Sequence, residues 1–138
     1  MNISDFKNPF FIGVAGVGMS AIAQYLQGIG KNVSGSDRYF HPDEYNKTKE
    51  QLENEGIKCF LQDGSGITKE TDLVVVSTAI EDTVYEVKKA KELGIPIIKR
   101  SQLLAMIAKS KKTVAVAGTS GKSTTSAMLF QILLDAGL

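Results

Sequence analysis

The sequence predicts an α/β fold: a Rossmann-like, mostly parallel sheet with flanking helices, followed by the first strand, phosphate loop and helix of a second α/β domain. Three observations carry this reading. Short apolar runs alternate with amphipathic stretches of helical length. The run Leu73-Val74-Val75-Val76 has no polar position, as expected of a parallel strand buried on both faces. A strand–glycine–helix arrangement also occurs twice, around Gly13–Gly18 and again around Gly118–Gly121.

Bulk composition narrows the class. The chain has 138 residues, 43% hydrophobic and 22% charged, enough for one core-forming domain with little room for a second. Sixteen basic against 15 acidic residues leave a net charge of +1, which suggests neither nucleic acid nor a membrane surface as partner. Cys59 is the single cysteine, so an internal disulfide and a cysteine-rich zinc site are excluded. In its apolar run it reads as a small buried hydrophobe in a reduced compartment. No apolar stretch approaches the roughly 18 residues of a membrane span. The polar start, 1–7, does not read as a secretory signal, and the expected location is the cytoplasm.

Taken in order, residues 10–14 form an apolar first strand. The helix that follows carries Met19, Ile22, Ala23, Leu26 and Ile29 on one face and ends at Gly28-Ile29-Gly30, where Gly30 suits the left-handed closing position. A short second strand spans 32–36. Residues 38–43 are irregular and contain His41, the one histidine, which has no second ligand nearby for a metal role. A charged helix is expected over 44–55, with Tyr45 and Leu52 inward and Gly56 closing it. Strand three spans 57–61, and a polar connection leads to strand four at 73–76. Asp82 or Thr83 is expected to cap a helix that Gly94 stops. Strand five, 95–98, holds Pro96 and so belongs toward a sheet edge. Ser101 is expected to cap a short helix bearing Leu103, Leu104 and Ile107. The charged stretch 109–112 is the best boundary, dividing domain 1–110 from the beginning of a second domain at 111–138. There, 113–117 is an expected strand and the last helix places Ala127, Leu129, Ile132, Leu133 and Ala136 inward.

Both glycine turns suit phosphate, because a helix start aims free N–H groups and the positive dipole end at one spot. The first turn departs from the dinucleotide fingerprint: Ala15 stands at its second glycine, and Gly16 is extra. It fits either a phosphate seat or a tight turn that only lets helix and strand pack. Asp37, 19 residues beyond Gly18, would lie at the carboxyl end of strand two, suited to a ribose hydroxyl pair or to a local capping role. Ser77 and Thr78 end the central strand and could face a ligand crevice or cap nearby backbone. The second turn, Gly118-Thr119-Ser120-Gly121-Lys122-Ser123-Thr124, ends as a P-loop does, although Val116 replaces the first glycine of that motif. Its amides would cradle phosphates, Lys122 would reach the terminal oxygens, and the Ser123 hydroxyl would ligate Mg²⁺. One turn alone is compatible with an NAD(H)-binding regulatory module without catalysis. That alternative leaves Lys122 and Ser123 unexplained.

Gly13-Val-Ala-Gly-Val-Gly-Met19, Ser34-Gly-Ser-Asp37, Val74-Val-Val-Ser-Thr-Ala-Ile80, Ile95-Pro-Ile-Ile-Lys-Arg100 and Ala117-Gly-Thr-Ser-Gly-Lys-Ser-Thr-Thr125 together resemble the Mur ligase family, in order and over nearly the whole chain. The resemblance implies an ATP-dependent ligase of cell-wall peptidoglycan synthesis or recycling, joining an amino acid or peptide to UDP-N-acetylmuramate through an acyl phosphate. It implies that Ala15, Gly16, Val17, Gly18 and Met19, with Asp37, Ser77, Thr78 and Ala79, hold the UDP-sugar. It likewise implies that Gly118, Thr119, Ser120, Gly121, Lys122, Ser123 and Thr124 hold Mg-ATP, Lys122 being catalytic. Ser120 and Ser123 stand where the family usually has His and Thr, and Ala15 where it usually has glycine. These departures suggest a branch whose substrate differs. On this resemblance the chain comprises a complete UDP-sugar domain and only the beginning of the ATP domain, so the 138 residues alone should bind without turnover. The apolar stretch 113–117 should dock on the first domain or pair with another copy of the chain.

Overall fold

Five short strands form one all-parallel sheet in the order β3-β2-β1-β4-β5. The computed structural model describes residues 1–78, 80 and 83–138. The elements run β1 Pro9–Ile12, α1 Val17–Gly28, β2 Ser34–Asp37, α2 Lys47–Asn54, β3 Lys58–Leu61, β4 Leu73–Val76, α3 Tyr85–Glu92, β5 Ile97–Lys99, α4 Arg100–Ser110 and α5 Lys122–Asp135, after a short 3-10 turn at Ile3–Asp5. The α/β fold expected of the sequence is therefore present, and the fifth strand lies at an edge, although it spans Ile97–Lys99 and leaves Pro96, expected within it, just before its start. Alternation along β1 divides the interior into two layers. Phe11 packs with Val75, Met19, Leu26 and Leu103 on one side of the sheet. Phe10 and Ile12 pack with Val74, Ile67, Val87 and Ala90 on the other. Each fully buried side chain of this size contributes about 1.5–3 kcal/mol relative to exposure, so β1, flanked by strands on both sides, anchors the domain.

Glycine permits two features of this packing. Gly30, Gly56 and Gly94 have φ of 89°, 88° and 68° and close α1, α2 and α3 in the left-handed conformation. Gly35 lies so close to β1 that a Cβ there would be 2.7 Å from both the Phe11 carbonyl oxygen and Val14 Cβ. A second device was not expected: the Asp72 carboxylate accepts the Lys7 and Asn8 amides at 2.7 and 2.9 Å, clipping the segment before β1 to the one before β4.

Several expectations need correction. Tyr45 precedes α2 and is exposed, so Leu52 is the one fully buried residue of that helix. The N-cap of α3 is Val84, which makes no side-chain cap, and not Thr83; Asp82, the other expected cap, lies outside the described residues. Ser101 sits inside the first turn of α4, with Lys99 at its N-cap. The expected strand at 113–117 is absent: these residues enter no strand, and Val114 is 69% exposed. An apolar run becomes a strand only when a neighbouring strand supplies ladder partners, and none flanks it here. For the same reason the inward face expected for α5 is not covered; none of its residues is buried.

Candidate functional site

The register of the sheet assembles one end of the molecule. Ile12 is level with Ser36 on one side and Val76 on the other, and Val76 is level with Lys99. One step beyond that row stand Gly13, Asp37 and Ser77. This is the carboxyl edge of the sheet, where the chain reverses between β1 and β4 and open α/β sheets hold their ligands.

The glycine turn is held by backbone and by Asp37. Gly13, at φ 82°, and Val14 both donate their amides to the Ser36 carbonyl, at 2.8 and 3.0 Å. The Gly16 amide donates to the Gly13 carbonyl at 3.2 Å. Asp37, buried at the end of β2, accepts the Ala15 amide on Oδ2 at 2.9 Å and the Tyr39 amide on Oδ1 at 3.0 Å. Its first task is thus to bind the turn to the following loop, and lone pairs remain on each oxygen for a hydroxyl donor. The Gly16 carbonyl accepts Met19 and Ser20, each at 2.8 Å, while the amides of Val17 and Gly18 have no acceptor among the described residues. No side chain caps α1, and its first turn has no acidic residue. The dipole end and two amides are left for an anion.

A cavity of about 270 Å³ opens here, lined by Gly13, Ala15, Gly16, Asp37 and Ser77, with Arg38, Tyr39, Gln62 and Ile80 around them. The structure brings together Ala15, Gly16, Asp37 and Ser77 of the predicted residues. Val17, 88% exposed, lies outside this lining, as do Gly18 and Thr78. Met19 turns its side chain into the core, and its amide is already used. Ala79 lies outside the described residues. Arg38, Tyr39, Gln62 and Ile80 were not singled out in the sequence. The position of Arg38 and Tyr39 directly after Asp37 was the available signal. The Arg38 guanidinium lies 4.8 Å from the Tyr39 ring centre, and its Nη2 donates to the Tyr39 hydroxyl at 2.8 Å, giving the cavity a flat cationic and aromatic rim. A larger cavity of about 420 Å³, lined by Asn8, Asn32, Lys58 and Thr71 among others, opens at the amino ends of the strands, away from the turn and its free amides.

The second cradle is formed locally. Gly121, at φ 72°, caps α5, and the Thr125 amide donates to its carbonyl at 3.0 Å. The amides of Lys122, Ser123 and Thr124 have no acceptor among the described residues, which suits phosphate oxygens. Lys122 Nζ folds back to donate to the Gly118 carbonyl at 2.7 Å. Thr119 and Ser120 are exposed beside it. Among the described residues no three His, Cys, Asp or Glu side chains converge on a metal-sized site. Ser123, the residue expected to reach Mg²⁺, would be a lone hydroxyl donor, which is compatible with an ion held largely by phosphates and water. No described helix is long and apolar enough to cross a membrane. Cys59 is half-buried rather than fully buried, and its thiol is pushed up to about 12, chiefly by burial, with the nearby Glu53 charge adding to it.

Comparison with known proteins identifies the family and the fold. Residues 10–112 match the family model described as Mur ligase family, catalytic domain. The UDP-N-acetylmuramate–L-alanine ligase of Dichelobacter nodosus is 39% identical over 132 residues, covering 96% of this chain and 27% of the relative. The murein peptide ligase of Psychrobacter arcticus superposes with a TM-score of 0.83 at 29% identity, over 95% of this chain and 27% of that one. The UDP-N-acetylmuramate–alanine ligase of Thermotoga maritima gives 0.78 at 30%, over 91% and 29%. The chain thus spans about a quarter of the length of these relatives. A parallel sheet with a free glycine-turn helix start at its carboxyl edge, matched along nearly its whole length, belongs to the Mur ligase family.

Proposed function

We propose that residues 1–110 bind a UDP-N-acetylmuramate-type nucleotide sugar, and that 111–138 begin the ATP-binding part of a cytoplasmic, ATP-dependent ligase. That ligase would join an amino acid or peptide to the sugar's carboxylate through an acyl phosphate, in peptidoglycan synthesis or recycling. The observation that carries the reading is the pair of acceptor-free amides at Val17 and Gly18, beside a cavity lined by Ala15, Gly16, Asp37 and Ser77. Amides and a helix dipole suit the diphosphate. The remaining lone pairs of Asp37 suit a ribose hydroxyl, and Ser77 and Thr78 stand at the neighbouring strand end. Ala79 belongs to the same segment of the reading.

The Gly118–Thr124 amides would hold the ATP phosphates. Lys122, released from the Gly118 carbonyl, would balance charge on the transferred phosphoryl group. The Ser123 hydroxyl would help hold Mg²⁺, which when bound would supply neutralisation of phosphate charge. The 138-residue chain alone would bind without turnover, because its phosphate loop is not buttressed: 113–117 pairs with no strand, and Met128, Phe130 and Leu134 of α5 are exposed. Amino-acid-dependent phosphate release by the chain would overturn this. The same apolar tail is where copies of the chain would associate, which sedimentation across a concentration series tests.

Thermal unfolding with UDP, UDP-N-acetylmuramate, NADH and Mg-ATP tests the main reading. A ligand at a hundred times its Kd adds about 2.7 kcal/mol to folding stability. Stabilisation by the uridine nucleotides is expected. Stabilisation by NADH and not by them would favour a dinucleotide-binding regulatory module instead.

A further inference from the structure

We propose that Arg100 is the cationic arm of the diphosphate seat, and that Gly18 is the notch that holds it there. The inference rests on the UDP-sugar reading and adds a residue to it. Arg100 is the first residue of α4, immediately after β5. Since Lys99 is level with Val76, and Val76 with Ile12, Arg100 stands one step beyond the same carboxyl-edge row as Gly13 and Ser77. From there its side chain crosses to the first turn of α1. A Cβ built on Gly18 would fall on Arg100 Nη1, with Arg100 Cζ 3.1 Å and Cδ 3.7 Å away. The guanidinium therefore occupies the space that any side chain at position 18 would take.

That placement is electrostatically unfavourable without an anion. A cation beside the positive end of a helix is repelled by the dipole. Arg100 has no hydrogen bond or ion pair among the described residues, and no acid lies in the first turn of α1 to offset it. Around this point converge the planar donors of the guanidinium and the acceptor-free amides of Val17 and Gly18. All are donors, none is an acceptor, and they approach from two elements. A group with several anionic oxygens satisfies them together, and the diphosphate of a nucleoside diphosphate has that chemistry. Gly18, whose backbone is helical, is then required for the guanidinium it seats and not for an unusual φ.

The test measures binding of UDP and of inorganic pyrophosphate to the chain by calorimetry, for wild type, Arg100→Ala, Arg100→Lys and Gly18→Ala. Arg100→Ala is expected to weaken both ligands by about tenfold to a hundredfold, with an unchanged unfolding midpoint because the side chain is exposed. Arg100→Lys should recover only part of the loss, since an ammonium lacks the planar fork. Gly18→Ala, helix-compatible, should displace the guanidinium and weaken binding similarly. Combining it with Arg100→Ala should add little, since both remove the same contact. UDP binding that Arg100→Ala leaves unchanged overturns the role of Arg100 while keeping the UDP-sugar reading. Pyrophosphate binding that depends on Arg100, without any advantage for UDP, keeps Arg100 and removes the uridine. Binding of neither ligand to wild type overturns both.

Discussion

The Asp37 carboxylate accepts the Ala15 amide at 2.9 Å, joining the end of β2 to the glycine turn after β1 across 22 residues of sequence. With the Tyr39 amide on its other oxygen, this one side chain sets the turn and the rim loop relative to each other. Asp37→Ala should lower stability by about 1–3 kcal/mol, because two backbone amides, in part-buried hydrogen bonds, lose a charged acceptor. UDP affinity should fall with it as the turn loosens. Urea denaturation and calorimetry on the same samples read both effects; a variant as stable as wild type would deny Asp37 this anchoring role.

Two glycines make opposite predictions. At Gly35 an added methyl meets the Phe11 carbonyl oxygen and Val14 Cβ at 2.7 Å, both fixed by the sheet. Gly35→Ala should cost about 1–3 kcal/mol through forced separation of β1 and β2. At Gly28, in the last turn of α1, nothing lies within 4 Å of an added Cβ. Gly28→Ala should raise stability by about 0.5–1 kcal/mol, as alanine is the better helix former. Denaturation midpoints of the two variants moving in the same direction would contradict the packing described.

Burial raises the Cys59 thiol to about 12. In the unfolded chain the thiol titrates near its ordinary value, about 8.5. Between these values the folded state binds more protons than the unfolded state, so stability falls as pH rises. The contribution is fully present below the unfolded value and lost through the folded one. Cys59→Ser should flatten that decline in a denaturation series from pH 8 to 11. Alkylation of native Cys59 at pH 8 should also be about a thousandfold slower than that of a free cysteine.

In the tail, 113–117 lacks strand partners. Its amides should exchange with solvent orders of magnitude faster than those of β1 and β4, as read by mass spectrometry after brief deuteration. Protection equal to that of β4 would mean that the stretch pairs with another strand in solution.

Much of this molecule was legible because its signals are local. The unbroken run Leu73–Val76 had to be a buried strand, and it is central beside β1. Gly30, Gly56 and Gly94 marked helix ends because only glycine takes positive φ without strain there. The same logic misled at Ser101, where a capping residue type stood two positions beyond the N-cap, and at Tyr45, whose apolar ring lay before the helix it was expected to serve.

The sequence by itself determined the α/β class, the strand–glycine–helix pattern of the first turn, the glycine-led start of the last helix and the family, since periodicity, turn chemistry and motif order are all properties of short segments. Tertiary structure alone decided what those segments do to one another. Register placed Gly13, Asp37 and Ser77 on one edge, and topology carried Arg100 over Gly18. The absence of a neighbouring strand left 113–117 unpaired, although its residue pattern suits a strand. The reason is common to all three: hydrogen-bond ladders, charge placement and close packing depend on what the rest of the chain brings alongside, and no window of sequence contains its own neighbour.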